Sequence, residues 1–313
     1  MQIISAQHID AVLQWEGVLQ ALHAGHLGER PSGASYFIGD ARFGLFSRGV
    51  SMPGKGAGFK LASIYPANRL ADPPLPSEQA VFVVLDEYTK AMVGMLDGPA
   101  ITRWKTAADS ALAARALSRE DSTVLLVLGG GPVARALTAA YLHIRPSIRE
   151  VLLWNRSPDK LEASCADLAR SNIRVQVVTD LDAAVARADI ITSATSTGNP
   201  LIRGALLRPG SHIDLVGGYR PDMQEADEDV LRNARIFVDD RENAIQSGDL
   251  QIPLARGVIQ PEQIEADLFA LCQGYAVRRS PVDRTVYKNA GGAHLDLIVS
   301  QYVIERMAQA CQP

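Results

Sequence analysis

Val124-Leu125-Leu126-Val127-Leu128 is a continuous apolar run that stops on Gly129-Gly130-Gly131. Pro132-Val133-Ala134 then opens a segment in which Val133, Leu137, Ala140 and Tyr141 recur at helical spacing. A buried strand, a tight turn and an amphipathic helix in that order begin a βαβ unit. The turn reads GxGxxA. In that pattern Gly129 permits the sharp turn, Gly131 lets the backbone approach a pyrophosphate, and Ala134 lets the helix pack close to the strand. The first helical residues, Pro132 and Val133, offer the anion a helix N-terminus. Glycines alone often just close a βα turn. The strand before and the helix after point here to a dinucleotide site.

The following segments repeat the alternation. Val151 to Trp154, Val175 to Val178, Ile190-Ile191, Ile213 to Val216 and Ile236 to Val238 read as further buried strands. Leu161, Cys165, Leu168 and Ala169 mark one helix face, and Leu181, Ala184 and Val185 a short helix with Thr179 as its expected N-cap. Six strands alternating with helices predict an α/β fold, a doubly wound parallel sheet of the Rossmann type.

Two strand ends carry candidate cofactor contacts. The second strand runs into Asn155-Arg156-Ser157, where an NAD site would place a carboxylate for the ribose 2′-hydroxyl. Without that carboxylate a 2′-phosphate meets no repulsion, and Arg156 and Ser157 can bind it. This favours NADP(H), with NAD(H) the alternative; Arg156 as a solvated residue or an adenine-stacking one stays open. Ala194-Thr195-Ser196-Thr197 follows the fourth strand, where open α/β sheets bind ligands. It either lines the cofactor or forms a polar turn into Gly198.

Toward the N-terminus the pattern changes. Ser35 to Ile38, Phe43 to Phe46 and Phe59 to Tyr65 are short β-type runs, and Ala80 to Leu85 and Ala91 to Leu96 flank a turn at Asp86 to Lys90. They predict a mostly antiparallel sheet, preceded by a helix over Ala11 to Leu22 and followed by an Ala-rich helix over Thr106 to Leu117. His294 to Ala310 is again helical.

Composition narrows the class. The chain has 313 residues, 31 basic and 35 acidic side chains and a net charge of −4, with the basic residues scattered. That suits two domains and weakens any nucleic-acid reading. No apolar run reaches the 18 or so residues of a membrane span, and no signal peptide is expected at Met1 to Asp10. Cys165, Cys272 and Cys311 have neither disulfide nor metal spacing and read as lone thiols. The expectation is a cytoplasmic protein with no membrane or nucleic-acid partner and no metal.

Over nearly its whole length the sequence resembles the ornithine cyclodeaminase/μ-crystallin family. The resemblance is carried by Met52-Pro53, Gly58-Phe59-Lys60, Thr102 to Ala111, Gly129-Gly130-Gly131, Trp154-Asn155-Arg156, Ala194 to Thr197, Val216-Gly217-Gly218-Tyr219-Arg220-Pro221-Asp222 and Lys288-Asn289-Ala290-Gly291-Gly292. Trp154-Asn155-Arg156 is similar to the NADPH-binding branch. The resemblance implies a homodimer. It implies a substrate-binding and dimerisation domain of α+β type at 1–116 with 293–313, and a Rossmann domain at 117–292. It also adds Val216 and Gly217 to the cofactor contacts.

Lys60 matches the family's active-site lysine, although by itself it could be a surface strand lysine. Lys105 stands where the family usually has a carboxylate-gripping Arg, and keeps the charge without the bidentate fork. Pro31-Ser32-Gly33 lacks a second family Arg, for which Arg30 or Arg48 could substitute; Arg103 could support Lys105. Asp296 occupies a place that is often acidic in the family, and it or His294 could act on the substrate or simply stabilise a helix N-terminus. The cyclodeaminases carry a catalytic Asp where this chain has Tyr219, a poor base at neutral pH. Three readings follow. The first is NAD(P)H-dependent reduction of a small cyclic ketimine or imino acid, of pyrroline-2-carboxylate or piperideine-2-carboxylate type, with Lys60, Lys105 and Asp296 at the reacting centre. The second is an NAD-dependent ornithine cyclodeaminase. The third is a non-catalytic NADPH and small-ligand binding protein.

Overall fold

The computed structural model describes residues 1–40 and 42–310; Cys311 lies outside them. The chain divides into two compact units, one of Met1–Lys105 with the chain from Gly292 onward, the other of Thr106–Gly291.

The first unit is built on a sheet of β1 (Gln2–Ile4), β2 (Ser32–Gly39), β3 (Gly44–Met52), β4 (Gly56–Ile64), β5 (Glu78–Leu85) and β6 (Met92–Asp97). Its order is β1-β6-β5-β4-β3-β2, antiparallel except for β1 beside β6. Instead of one helix over Ala11 to Leu22 there are two, α1 (Ala6–Val12) and α2 (Trp15–His26). The break falls at Leu13-Gln14, both extended, with no Gly or Pro to announce it. The Ala-rich helix begins earlier than its alanines suggest: α3 spans Gly98–Leu117, and Asp97 caps it by accepting from the Ala100 N–H at 2.8 Å.

The second unit holds a wholly parallel sheet. Its strands are β7 (Val124–Leu128), β8 (Glu150–Trp154), β9 (Arg174–Val177), β10 (Ile190–Ser193), β11 (His212–Leu215), β12 (Arg235–Val238), β13 (Ile264–Asp267) and β14 (Thr285–Lys288). The order is β13-β12-β14-β11-β10-β7-β8-β9. Strand order reverses beside β7, the switch point of a doubly wound sheet. Eight strands are present among the described residues where six were expected. The additions, β13 and β14, are four residues long and end on Asp267 and Lys288, so neither reads as an apolar run.

The connecting helices are α4 (Pro132–Ile144), α5 (Glu162–Leu168), α6 (Leu181–Val185), α7 (Glu228–Arg232), α8 (Arg241–Ala244), α9 (Gly248–Ala255) and α10 (Leu268–Cys272). Asp180, not Thr179, caps α6, accepting from the Ala183 N–H. The core is aliphatic, with Leu126, Leu152, Ile191, Ile213 and Val286 among its fully buried members. The C-terminal half of α3 belongs to this unit. Asp109 accepts from the Tyr287 hydroxyl at 2.6 Å, and Ser110 donates to Asp214 at 2.9 Å. The unit boundary therefore falls inside α3, at Lys105/Thr106, rather than at the helix end near residue 116.

The chain then rejoins the first unit as α11 (Ala293–Ala310), which packs on α2 and on β3, β4 and β5. Cys165 and Cys272 are free, half-buried thiols, and burial pushes Cys272 up to about 12. No helix among the described residues is long and apolar enough to cross a membrane.

Candidate active site and cofactor site

In the first unit, strand register selects which side chains meet. The pairings Ser35↔Arg48 and Arg48↔Lys60 put three polar residues in one row across β2, β3 and β4. They occupy the sheet face opposite to Tyr36, Ile38, Leu45, Phe59 and Leu61, since side chains alternate between faces. Thr102 and Lys105, three residues apart, lie on one side of α3, and Asp296 is in the first turn of α11.

These residues converge on one charged cluster. Lys60 Nζ donates to Thr102 Oγ1 at 2.8 Å and lies 3.6 Å from Asp296 Oδ1; Lys105 Nζ is 3.5 Å from Asp296 Oδ2. Lys60 is 9% exposed, Lys105 5% and Asp296 2%, so one carboxylate is shared by two nearly buried ammoniums. Burial would raise the Asp296 carboxyl, but Lys105, Lys60 and Arg48 outweigh it and hold it below the usual range. Arg48, half-buried in the same row, adds a further positive charge near this carboxylate. Positive charge gathered in this way attracts an anion.

His294, two residues before Asp296, is buried beside the cluster. Burial first, then His26, Lys105, Arg48 and Arg30 around it, hold it well below its ordinary value, so it is neutral. Its Nε2 lies 3.3 Å from His26 Nε2, and His26 Nδ1 lies 2.7 Å from the Leu22 carbonyl. A carbonyl only accepts, so His26 carries its proton on Nδ1. With His294 neutral, one of the two Nε2 atoms donates to the other across this contact. Nothing in the spacing of His26 signalled this partnership. Arg103 turns elsewhere: its guanidinium pairs with Asp10 at 2.8 Å, so it does not join Lys105.

In the second unit the residues expected to hold a cofactor follow four adjacent parallel strands, β8, β7, β10 and β11, at their carboxyl ends. Gly129 to Val133 lie between β7 and α4, Asn155-Arg156-Ser157 follow β8, Ala194-Thr195-Ser196 follow β10, and Val216-Gly217 follow β11. Gly129 has φ +124, and a Cβ on it would lie 2.8 Å from the Ala194 carbonyl oxygen, so only glycine fits. Gly131 is different. Its φ is −85, and a Cβ there would meet no protein atom within 4 Å. That open space at the start of α4 is where a pyrophosphate would approach, so the turn fits a dinucleotide. Asn155 Nδ2 donates to the Ser157 carbonyl at 2.7 Å, tightening the turn after β8. Arg156 is exposed and makes no ion pair among the described residues. Tyr219 is 59% exposed, and Asp222 is engaged with Arg220 at 2.8 Å.

One carboxylate in this region was not anticipated as a site group. Glu225 is fully buried and accepts from the Thr195 N–H and hydroxyl, each at 2.7 Å, from the Ser193 hydroxyl, and from the Gly217 N–H at 2.6 Å. In sequence Glu225, like Asp222, is a carboxylate close to Tyr219 but shifted along the loop from the place of the cyclodeaminase Asp.

Comparison with known proteins agrees with this architecture. The chain is 38% identical over 309 residues to a Delta(1)-pyrroline-2-carboxylate reductase of Paracoccus denitrificans, covering 98% of this chain and 97% of that one. It is 32% identical to the mouse ketimine reductase mu-crystallin, covering 79% of this chain and 74% of the relative. The structure of Thermococcus litoralis Delta(1)-pyrroline-2-carboxylate reductase in complex with NADH and L-proline matches with a TM-score of 0.92 and 25% identity, over 99% of this chain and 98% of that one. A sequence model of the ornithine cyclodeaminase/mu-crystallin family matches residues 27–310. The family model and the Paracoccus denitrificans relative each span most of the sequence, and the chain belongs to the ornithine cyclodeaminase/mu-crystallin family.

Proposed function

We propose that this protein is an NAD(P)H-dependent reductase of a small cyclic ketimine acid, of the pyrroline-2-carboxylate or piperideine-2-carboxylate type. The observation that carries this reading is the buried cluster of Lys60, Lys105 and Asp296 with Arg48 beside it. A substrate carboxylate would offset its positive excess. When bound, the cofactor supplies a hydride to the C=N carbon. Lys105 binds the carboxylate. Lys60, held by Thr102, gives a proton to the ring nitrogen as that nitrogen takes up the C=N electron pair. Asp296 keeps the two ammoniums from repelling each other and fixes their direction. Fixed orientation of this kind is the main contribution asked of the protein.

Gly129, Gly131, Pro132 and Val133 would hold the pyrophosphate, and Ala194, Thr195, Ser196, Val216 and Gly217 the nicotinamide half. Asn155, Arg156 and Ser157 would take the 2′-phosphate of NADP(H), a preference supported by an exposed guanidinium that no carboxylate occupies. A homodimer is part of the proposal, supported by the apolar sheet face of Tyr36, Ile38, Leu45, Phe59 and Leu61, all exposed in one subunit. So is a cytoplasmic location, which the free thiols of Cys165 and Cys272 support.

Cyclodeamination of ornithine is disfavoured by the same geometry. Tyr219 follows the Gly217-Gly218 pair, and the nearby carboxylates of Asp222 and Glu225 are already bonded to Arg220 and to backbone N–H groups. The reading is tested by following oxidation of NADPH and NADH with pyrroline-2-carboxylate and piperideine-2-carboxylate. Turnover on either supports it. Ammonia release from ornithine with no turnover on the imines would replace it with the lyase. Cofactor binding without any turnover would replace it with a storage protein.

A further inference from the structure

Glu225 has a role that its burial alone does not explain. Its Oε1 collects the Ser193 hydroxyl and both the N–H and hydroxyl of Thr195; its Oε2 takes the Gly217 N–H. Its own backbone is pinned as well. The Glu225 N–H donates to Asp249 Oδ1 at 2.7 Å, and the Glu225 carbonyl accepts from Leu201 and Ile202. Asp249 Oδ2 in turn accepts from Lys288 Nζ at 2.9 Å, at the end of β14. One side chain thus joins the segments that leave β10 and β11, and a second carboxylate carries the link to β14.

The approach of those segments is close. A Cβ on Gly217 would lie 2.0 Å from the Thr195 carbonyl oxygen and 2.6 Å from Glu225 Oε1, and a Cβ on Gly218 would lie 2.2 Å from Asp249 Oδ2. Two buried carboxylates served by one lysine are an expensive way to hold a fold, since apolar packing of equal volume is often more stable. The position of the link suggests what it is for. In a doubly wound sheet the dinucleotide lies across the carboxyl ends of the strands, with one mononucleotide on each side of the switch point. The Asn155-Arg156-Ser157 side faces the adenosine, and β10 and β11 lie on the other side.

We propose that Glu225 is a positioning residue for the nicotinamide half of the cofactor, its carboxylate fixing the Thr195 and Gly217 segments as one surface. This rests on the cofactor assignment made above. The requirement is for a carboxylate, because the Thr195 and Gly217 N–H groups approach different oxygens and neither can turn away. A glutamine would set its NH2 against one of them.

The test is direct binding, with no imine present. Wild type and Glu225→Gln are titrated with the nicotinamide cofactor that wild type binds more tightly, and with the ADP-ribose part of that same cofactor, carrying the 2′-phosphate if it is NADPH, which lacks only the nicotinamide. Burial pushes the Glu225 carboxyl up to about 7, so the titration is run above that pH. An N–H left facing the amide NH2 then predicts about a 10-fold or greater rise in Kd for the full cofactor, with the nicotinamide-free ligand unchanged. Ser193→Ala, which removes one donor from inside β10, gives a smaller loss of the same pattern and serves if the glutamine variant does not fold. Equal weakening of both ligands would mean a merely structural role and overturn the proposal, as would unchanged binding of both. Failure of wild type to bind either ligand would overturn the cofactor assignment itself.

Discussion

The two units carry candidate anion sites that are built in opposite ways. The second unit uses backbone: a glycine turn and the start of α4. Those residues are close neighbours in sequence, Gly129 to Ala134. The first unit uses side chains that come from positions 48, 60, 102, 105 and 296 and meet only when β3, β4, α3 and α11 have packed. A backbone site is tuned by what it leaves out, the Cβ of Gly131. A side-chain site is tuned by charge balance, three cations against Asp296.

Breaking the side-chain site has the largest expected effect. Lys60→Ala removes the proposed proton donor and should lower kcat on pyrroline-2-carboxylate by about 100-fold or more, with Kd for NADPH unchanged. Full turnover by this variant would remove the role given to Lys60. Breaking the backbone site comes next. Gly131→Ala adds a methyl into space that no protein atom occupies, so Tm should hold within about 2 °C. If a pyrophosphate uses that space, cofactor Kd rises by at least about 10-fold. Unchanged Kd would show that the turn holds no pyrophosphate. Smaller again, Arg156→Ala should weaken NADPH about 10-fold and NADH little, the loss of one charge-assisted contact. Equal effects on both would return Arg156 to the solvated or stacking reading.

The smallest effect contrasts two buried aspartates. Asp296 is held below the usual carboxylate range by the lysines, so its contribution to stability is present at neutral pH and is lost only in acid. Asp214 is shifted the other way. Burial pushes it up to about 6, despite hydrogen bonds from Thr192 and Ser110. The folded protein then binds the Asp214 proton more tightly than the unfolded chain does. Between about pH 4 and 6 stability falls as pH rises through that window. Asp214→Asn should flatten the dependence of Tm on pH there by a few degrees, without altering the reaction. An unchanged slope would mean that Asp214 is ionised throughout.

The same contrast explains what could be read in advance. The β7–α4 turn, the strands around it and the antiparallel character of the first sheet were legible, because periodicity and glycine spacing are local. β13 and β14 were not, since Ile264–Asp267 and Thr285–Lys288 carry polar residues that only their parallel neighbours make tolerable. Lys60, Lys105 and Asp296 were picked out by family likeness, and no spacing in the chain announces that they share one carboxylate. The His26–His294 pair and the partners of Glu225 lie further still from any sequence signal. Most of these contacts join residues separated by tens to hundreds of positions.

β2 has a consequence of its own. It is the edge of the first sheet, exposed along its whole length, and it carries Tyr36 and Ile38 into the apolar face. A bare edge with aromatic and branched side chains is a template for adding another strand, and natural proteins rarely leave one uncovered. If a second subunit covers it, folding and association are a single equilibrium. The melting temperature then rises with the protein concentration in the tube. Dilution becomes a denaturant for this chain. A thermal scan repeated over a hundredfold range of concentration reports the strength of the subunit interface before any oligomer is weighed.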